Sequence, residues 1–201
     1  MLYRLFRWVF LIIAKVYLRL GVRGSENIPR KGGFILASNH VSFIDPGVLG
    51  CACYRPLSYM ARDTLFDAPV LGLWMRAVNC IPVKRKSADI SAIKEAMRRV
   101  KQGGAIGLFP EGTRQVTEVP ERAEAGVGFL AAKLEVPVVP AFIKGAQNAL
   151  PKGKKFMRPA KVTVFFGKPI IFNKQMSRDD VAQAILEDMR QLAAESSKNS
   201  K

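Results

Sequence analysis

The stretch that decides the fold is Phe34-Ile-Leu-Ala-Ser-Asn39-His40-Val-Ser-Phe-Ile-Asp45-Pro46. Its first five residues are too apolar for a half-exposed strand. They predict a short strand inside a sheet that is covered on both faces. Pro46 suits the first turn of a helix, and Asp45 suits the N-cap position just before it. The stretch therefore predicts a buried strand that turns directly into a helix.

His40, the single histidine of the chain, lies in the predicted turn. Histidine is the only side chain whose unperturbed pKa lets it exchange protons near neutral pH. On a continuous helix His40 and Asp45 would point about 140° apart, so they can meet only if the intervening residues form a turn. Two interpretations stay open. Asp45 orients the imidazole as a general base, or His40 is a buried residue satisfied by the backbone and Asp45 only caps the helix.

Outward from this stretch, strand-like and helix-like segments alternate. The patterns predict strands over residues 80–83, 105–109, 136–143 and 162–166. They predict helices from Ser87 to the Gly103-Gly104 pair, over 126–134 and over 178–194. A turn-rich join is expected over 21–33 and a polar loop from Pro110 to about Ala125. This alternation predicts an α/β fold, a single domain with a largely parallel mixed sheet flanked by helices. We expect the domain to span residues 21–195 and a disordered tail to occupy residues 196–201.

Residues 1–20 predict a basic amphipathic helix. At about 100° per residue, Arg4, Arg7, Lys15 and Arg19 fall within one arc of roughly 120° and leave the rest of the surface apolar. The longest uncharged run, residues 8–14, is far shorter than the ~18–20 apolar residues that span a bilayer. A helix that lies in the membrane interface fits this pattern best. The alternative is a helix that packs on its own domain with its charges in solvent.

The charge of the chain points to polyanionic partners. Thirty-two Lys and Arg stand against sixteen Asp and Glu, which gives a formal net charge of +16. Such a charge favours nucleic acid, an anionic membrane surface or phosphorylated ligands. The sequence carries no nucleic-acid recognition motif, so we expect no nucleic-acid partner.

The three cysteines, Cys51, Cys53 and Cys80, are odd in number and lack the paired spacing of a zinc site. We expect reduced, structural thiols in a cytosolic setting. A metal cluster of His40 with Cys51 and Cys53 has no evident fourth ligand, so no metal is expected.

A second group of polar residues, Phe109-Pro-Glu-Gly-Thr-Arg114, directly follows the predicted strand over 105–109. In open α/β sheets, ligands bind at loops beyond the carboxyl ends of strands. An arginine, a hydroxyl and a glycine that lets backbone N–H groups approach closely suit a phosphate or a developing oxyanion. Arg85 is a further candidate for anion contact. The ordinary alternatives are a common Pro-Glu-Gly turn and one surface cation among many.

In combination these segments resemble the glycerophospholipid acyltransferases. Asn39-His40 with Asp45 is similar to their H-x4-D motif. Residues 61–85 resemble their second block, 109–114 their third and 136–140 their fourth, in the same order and at similar spacings. The resemblance covers roughly residues 22–145 and is closest to bacterial 1-acyl-sn-glycerol-3-phosphate acyltransferases. Lys84 stands where the family often has an acidic residue, and Glu124 where a lysine is common.

The resemblance implies transfer of a fatty acyl group from a thioester, on coenzyme A or acyl carrier protein, to the free hydroxyl of lysophosphatidate. His40 would take the proton of that hydroxyl as it attacks the thioester carbonyl directly, and Asp45 would orient and stabilise the imidazolium. By the same resemblance the acceptor phosphate site would be shaped by Arg85, Glu111, Gly112, Thr113 and Arg114. No cofactor beyond the acyl donor is expected. The enzyme would lie on the cytoplasmic face of the cell membrane as a peripheral or monotopic protein.

Rival functions stay open at this point. Within the enzyme class, the acceptor would be another lysolipid or an acylated amino acid. Outside it, the chain would be a basic membrane-binding or nucleic-acid-binding module.

Two further segments have two interpretations each. Residues 65–75 form an apolar stretch that either lines an acyl tunnel or packs in the core. Lys152, Lys154, Lys155, Arg158 and Lys161, interleaved with Phe156 and Met157, form either a second membrane contact or a solvated basic loop.

Overall fold

The structure, a computed structural model, describes residues 10–84, 89–154 and 156–198, without the side chain of Ala125. Several of the sequence predictions lie outside these ranges in whole or in part, among them Lys155 of the basic segment and residues 199–201 of the predicted tail. Residues 1–9 of the predicted N-terminal helix are not among the described residues. The same holds for Arg85 and for the predicted helix start at Ser87.

A seven-stranded sheet forms the centre of the described chain. Its strands are β1 (Gly21–Arg23), β2 (Phe34–Ser38), β3 (Leu57–Arg62), β4 (Ile81–Val83), β5 (Ala105–Leu108), β6 (Val138–Lys144) and β7 (Thr163–Phe166). In space they follow the order β1-β7-β6-β2-β5-β3-β4. β6 and β7 pair antiparallel, whereas the other neighbouring pairs are parallel. The predicted α/β fold with a largely parallel mixed sheet is confirmed.

Helices cover both faces of this sheet. They are α1 (residues 10–16), α2 (Asp45–Ala52), α3 (Pro69–Ala77), α4 (Ile90–Lys101), α5 (Ala125–Leu134), α6 (Ala146–Ala149) and α7 (Arg178–Lys198), with short 3-10 turns at Ser25–Asn27 and Asp63–Phe66.

The central strand β2 is buried along its whole length because it faces a hydrophobic cluster on each side. Phe34 and Leu36 pack with residues of α1, α2 and α3. Ile35 and Ala37 pack with residues of α4, α5 and α7. Since successive side chains of a strand point to opposite faces, five consecutive buried residues require cover on both. This arrangement confirms the prediction drawn from the apolar run of residues 34–38.

The described part of the N-terminal segment packs on the domain. Ala14 and Leu18 are fully buried in the cluster on the α2 face of the sheet. Phe10 fills the space beside Gly47, where an added Cβ would lie 2.5 Å from its ring. The outer side stays apolar as well, since Ile12 is 60% and Val16 76% exposed. Within residues 10–84, 89–154 and 156–198, no helix is both long and apolar enough to cross a membrane.

Two strands were missed by the sequence patterns. β1 lies inside the predicted turn-rich join over residues 21–33, and β3 lies in a segment given no assignment. Both are defined by distant partners, because β1 pairs with β7 and β3 with β5. A strand of three residues has too few positions to show a period of two, so only the pairing reveals it.

The helix α4 begins at Ile90 and buries three residues against the sheet. Asp89 is its N-cap, and its carboxylate accepts a hydrogen bond from the N–H of Ala92 at 3.1 Å. Ile90, the first residue of the helix, is 63% exposed although it is apolar. The buried positions are Ala92, Ala96 and Val100, because small residues let the helix approach the sheet closely.

Two other predictions need correction. The tail over residues 196–201 is not disordered from its start, because α7 continues to Lys198. Ser196 is buried, and its carbonyl accepts a hydrogen bond from Lys144 Nζ at 3.0 Å, which holds the last turn on the sheet. The apolar stretch over residues 65–75 is not a packed core segment throughout, since Val70 is 84% and Leu73 52% exposed on α3.

Candidate active site

His40 and Asp45 meet in the turn between β2 and α2. The Nδ1 atom of His40 lies 2.8 Å from Oδ2 of Asp45. The same oxygen accepts hydrogen bonds from the N–H groups of Val41 and Ser42 at 2.8 and 2.7 Å. The turn is therefore folded around the carboxylate, which is fully buried.

This arrangement corrects the predicted helix cap. Asp45 is the first residue of α2, and Ile44 occupies the N-cap position without a side-chain hydrogen bond. The carboxylate is directed back at Val41 and Ser42, so it satisfies the amides of the preceding turn in place of those of the helix.

The contact with Asp45 determines which nitrogen of His40 is free. An ionised carboxylate only accepts hydrogen bonds, so Nδ1 carries the proton and Nε2 keeps its lone pair. The side chain of His40 is 18% exposed, whereas that of Asp45 is fully buried. The imidazole also stacks on Phe109, with ring centroids 4.0 Å apart and planes inclined by 20°. A fixed ring with one accessible, unprotonated nitrogen has the features of a general base.

Asn39 holds the end of β2 in place. Its Nδ2 donates to the carbonyls of Ile143 and Glu118, both at 3.0 Å, and its Oδ1 accepts from the N–H of Ile143 at 2.7 Å. The side chain is fully buried. Asn39 thus ties the residue before the histidine to β6 and to the polar loop that follows β5. Its position was noted within the motif, but no role was predicted for it.

Glu111 contacts the backbone of His40. It is 1% exposed, and its Oε2 accepts a hydrogen bond from the N–H of His40 at 2.9 Å. Burial raises the pKa of Glu111 from 4.5 to about 8, and the negative charge of Asp45 adds to the rise. The structure therefore places the Glu111 carboxyl against the backbone of the base, whereas the sequence placed it at the acceptor phosphate.

The loop after β5 also binds the other side of His40. The N–H of Gln115 donates to the carbonyl of His40 at 2.7 Å. Glu111 and Gln115 together satisfy both backbone groups of the histidine. Gln115 was not identified from the sequence, because the contact joins residues 75 positions apart and leaves no local pattern.

The outer part of this loop carries the predicted anion-binding groups. Gly112 has φ +67°, a left-handed conformation that turns the chain after Glu111. Thr113 is exposed beyond it, and the guanidinium carbon of Arg114 lies 5.8 Å above the ring of Phe43. Gly112, Thr113 and Arg114 therefore lie next to the His40 turn, and their role in binding the acceptor phosphate stays a prediction. Arg85 lies outside the described residues.

The thiols take no visible part in this site. All three cysteines are buried, and none forms a disulfide. Burial raises the pKa of Cys80 to about 11, which keeps that thiol protonated at neutral pH.

The chain is similar to known proteins over most of its length. Residues 19–144 match the model of the Acyltransferase family. The 1-acyl-sn-glycerol-3-phosphate acyltransferase of Bacillus subtilis is 31% identical over 156 residues, which cover 76% of this chain and 75% of that protein. The chloroplastic enzyme of the same name, BAT2, from Brassica napus is 29% identical over 90% of this chain but only 54% of its own length.

A solved structure shares the architecture. The crystal structure of the 1-acyl-sn-glycerophosphate acyltransferase PlsC from Thermotoga maritima superposes with a TM-score of 0.77 at 25% identity, covering 96% of this chain and 81% of that one. The family match spans β2, the His40 turn and the loop after β5, so it includes every element that builds the site. On these grounds the chain belongs to the acyltransferase family.

Proposed function

We propose that the protein transfers a fatty acyl group from an acyl thioester to the free hydroxyl of 1-acyl-glycerol-3-phosphate and so forms phosphatidic acid for phospholipid biosynthesis. The relatives from Bacillus subtilis and Brassica napus carry this acceptor in their names. The single observation that carries the chemistry is the 2.8 Å contact between His40 Nδ1 and Asp45 Oδ2, which leaves Nε2 as the base.

The transfer requires no acyl-enzyme. Nε2 of His40 takes the proton of the acceptor hydroxyl while its oxygen attacks the thioester carbonyl and forms a tetrahedral oxyanion. The carbon–sulfur bond then breaks, and the departing thiolate takes the proton from the imidazolium. Asp45 stabilises the transient imidazolium, because its buried carboxylate faces Nδ1 in a site of low dielectric. General-base action of this kind contributes ~10²–10⁴-fold, and positioning of the two substrates supplies the rest.

The acceptor phosphate binds at the outer part of the loop after β5. Arg114 offers a guanidinium that matches phosphate geometry, and the exposed hydroxyl of Thr113 is next to it. Arg85 joins this site by its resemblance to the family pattern. The acyl donor is carried on coenzyme A or acyl carrier protein.

The acceptor is a lipid, so the protein works at a membrane. The net charge of +16 suits an anionic leaflet, and the exposed apolar side chains of Ile12 and Val16 suit burial in its interface. Residues 10–20 then combine both alternatives raised by the sequence, because Ala14 and Leu18 pack on the domain while the exposed Ile12 and Val16 can enter the membrane interface. We place the protein on the cytoplasmic face.

One observation favours a different acceptor. The side chain of Glu124 lies against Gly112, where its Cγ would be 3.3 Å from an added Cβ. A carboxylate at this loop repels phosphate and attracts a cationic headgroup. An acceptor such as a lysolipid with an amine, or an acylated amino acid with a cationic side chain, is therefore the second candidate.

Release of free thiol from an acyl thioester tests both candidates. The purified protein is given acyl-CoA or acyl carrier protein with lysophosphatidate, lysophosphatidylethanolamine or an acylated amino acid in turn, and the lipid product is identified by mass. We expect phosphatidate from lysophosphatidate, and loss of this product with Arg114→Ala through a raised acceptor KM. Product from the amine-bearing acceptors alone, with Glu124→Gln removing it, would establish the second candidate.

A further inference from the structure

A basic loop connects α6 to β7 and exposes an aromatic side chain among cations. We define the basic loop by its described residues, 151–154 and 156–159. Lys152, Lys154 and Arg158 are exposed, and Phe156 between them is 85% exposed. A phenylalanine with nearly all of its surface in water forgoes the burial that normally stabilises this side chain.

The exposure of Phe156 is imposed by the fold. The N–H of Arg158 donates to the carbonyl of Ala149 at 2.7 Å, and the N–H of Ala160 donates to the carbonyl of Tyr17 at 3.3 Å. Met157 packs against the hydrophobic cluster under α1 and α2. Since the residues that follow Phe156 are held, its exposed ring is carried at the start of an anchored segment of chain.

The basic loop adjoins the outer side of the N-terminal segment. The hydroxyl of Tyr17 donates to the carbonyl of Met157 at 3.2 Å, immediately beside Phe156. Val16, the residue before Tyr17, is 76% exposed. Val16 and Phe156, two exposed apolar residues, are therefore each next in sequence to a residue of this contact, and Lys154 and Arg158 lie two positions on either side of Phe156.

The same loop reaches the active site at its other end. The Nζ of Lys152 donates to the carbonyl of Arg114 at 3.0 Å. The carbonyl of Leu150, one residue before the loop, accepts from the hydroxyl of Ser42 in the His40 turn at 2.7 Å. The basic loop thus lies between the N-terminal segment and the entrance to the site.

We propose that the basic loop is a second contact with an anionic bilayer. Phe156 inserts into the interface, while Lys152, Lys154 and Arg158 bind lipid headgroups. An aromatic ring flanked by cations matches the interface of such a bilayer in both polarity and charge. The purpose of this contact rests on the proposed function, since it holds the entrance of the site against the layer that contains the acceptor.

Vesicle sedimentation of the full chain tests this proposal. Phe156→Ser and Lys154→Glu are compared with the parent protein on phosphatidylcholine vesicles with and without phosphatidylglycerol. Each change should lower the partition coefficient on the anionic vesicles by roughly tenfold, because one inserted ring or one cation is lost. Both side chains are exposed, so the melting temperature should not change.

Matched controls come from α4, which covers the opposite face of the sheet. Ile90→Ser removes an apolar side chain that is 63% exposed, and Lys94→Glu reverses an exposed charge. The partition coefficients of these two variants should stay within about twofold of the parent value, since α4 faces away from the bilayer. Equal losses in the α4 and loop variants would mean that total charge, not the loop, governs binding, and would overturn the proposal.

Acyl transfer supplies a second measurement. Phe156→Ser should raise the apparent KM for lysophosphatidate embedded in anionic vesicles and leave kcat with a short-chain, water-soluble acceptor unchanged. Unchanged partition of both loop variants would disprove the contact. If the parent transfers no acyl group to any acceptor, the proposed function fails, while the sedimentation result still decides whether the loop binds membrane.

Discussion

At the scale of single residues, His40 and Asp45 can be separated by substitution. His40→Ala removes the base and should lower kcat by ~10²–10⁴-fold. Asp45→Asn keeps an oxygen for the N–H groups of Val41 and Ser42 but loses the charge beside the imidazolium, so kcat should fall while the fold is retained. Thiol release under saturating acceptor measures kcat, and circular dichroism checks folding. Near-normal turnover of a folded His40→Ala protein would refute the mechanism.

Glu111 gives a second prediction, which depends on its protonation. With a pKa of about 8 it is mainly protonated at neutral pH, so glutamine is a close substitute. Glu111→Gln should keep kcat within several-fold of the parent, because its amide oxygen still accepts from the N–H of His40. Glu111→Ala leaves that buried N–H without a partner, which costs about 1–3 kcal/mol. Equal kcat values for the two variants would show that Glu111 does not position the base.

The same residue predicts a pH dependence of stability. Its pKa in the folded protein lies above the ordinary value of 4.5, so the proton is bound more tightly in the folded than in the unfolded state. The stabilisation is complete below about pH 4.5 and is lost as the pH rises through about 8. Melting temperatures of the parent should therefore fall relative to Glu111→Gln across this window. Parallel curves for the two proteins would contradict the buried, protonated carboxyl.

The sequence revealed the pairing of His40 with Asp45 better than the residues that hold the pair in place. His40 and Asp45 are five positions apart, and the strand before them and the proline after them predict the turn in which they meet. Asn39 and Glu111 form hydrogen bonds with residues that lie 104 and 71 positions away in the sequence. Their roles depend on which strands become neighbours, which no local pattern contains.

At the scale of elements, the N-terminal segment has one side in the core and another in solvent. Leu18→Ala should destabilise the fold by ~2–5 kcal/mol, because the side chain is fully buried. Val16→Asp should leave the free energy of unfolding unchanged and weaken binding to anionic vesicles, since Val16 is 76% exposed. Denaturant unfolding and vesicle sedimentation measure the two effects. Loss of stability without loss of binding in Val16→Asp would assign the segment to the core alone.

Element boundaries were predicted well where the signal is local. The strand over residues 34–38 and the helix near residues 126–134 follow from apolar runs ended by turn residues or charges. The extension of α7 to Lys198 was missed, because Ser and Lys at a chain end indicate disorder until Lys144 binds the carbonyl of Ser196.

At the scale of the whole molecule, the charge of +16 should make membrane association sensitive to salt. Raising the ionic strength from 0.1 to 1 M shortens the Debye length from about 10 to 3 Å, so binding to anionic vesicles should weaken strongly. The kcat for transfer to a soluble acceptor should change much less, because the carboxylate of Asp45 beside His40 is fully buried and is therefore little screened by salt. Sedimentation and thiol release across the same salt series provide the comparison. Salt-independent sedimentation would assign the binding to apolar insertion alone.

The sheet order explains why residues far apart in the sequence form one site. β2 and β5 are parallel neighbours, so the turn after one and the loop after the other emerge side by side at the same edge. The alternation of strands and helices predicted a parallel sheet. The two segments of the site were found because each directly follows a predicted strand. The order β6-β2-β5 could not be read from the sequence, since it is decided by packing of the complete chain.

Both backbone groups of His40 are hydrogen-bonded to the loop after β5. Its N–H donates to Glu111, and its carbonyl accepts from the N–H of Gln115. His40, the proposed base, and the loop over residues 109–115 are consequently coupled, so that a shift of the loop also moves the histidine. Exchanging the loop alone to change the acceptor would therefore also shift the position of His40. Residues 39–45 and 109–115 are best transplanted together, as one cassette.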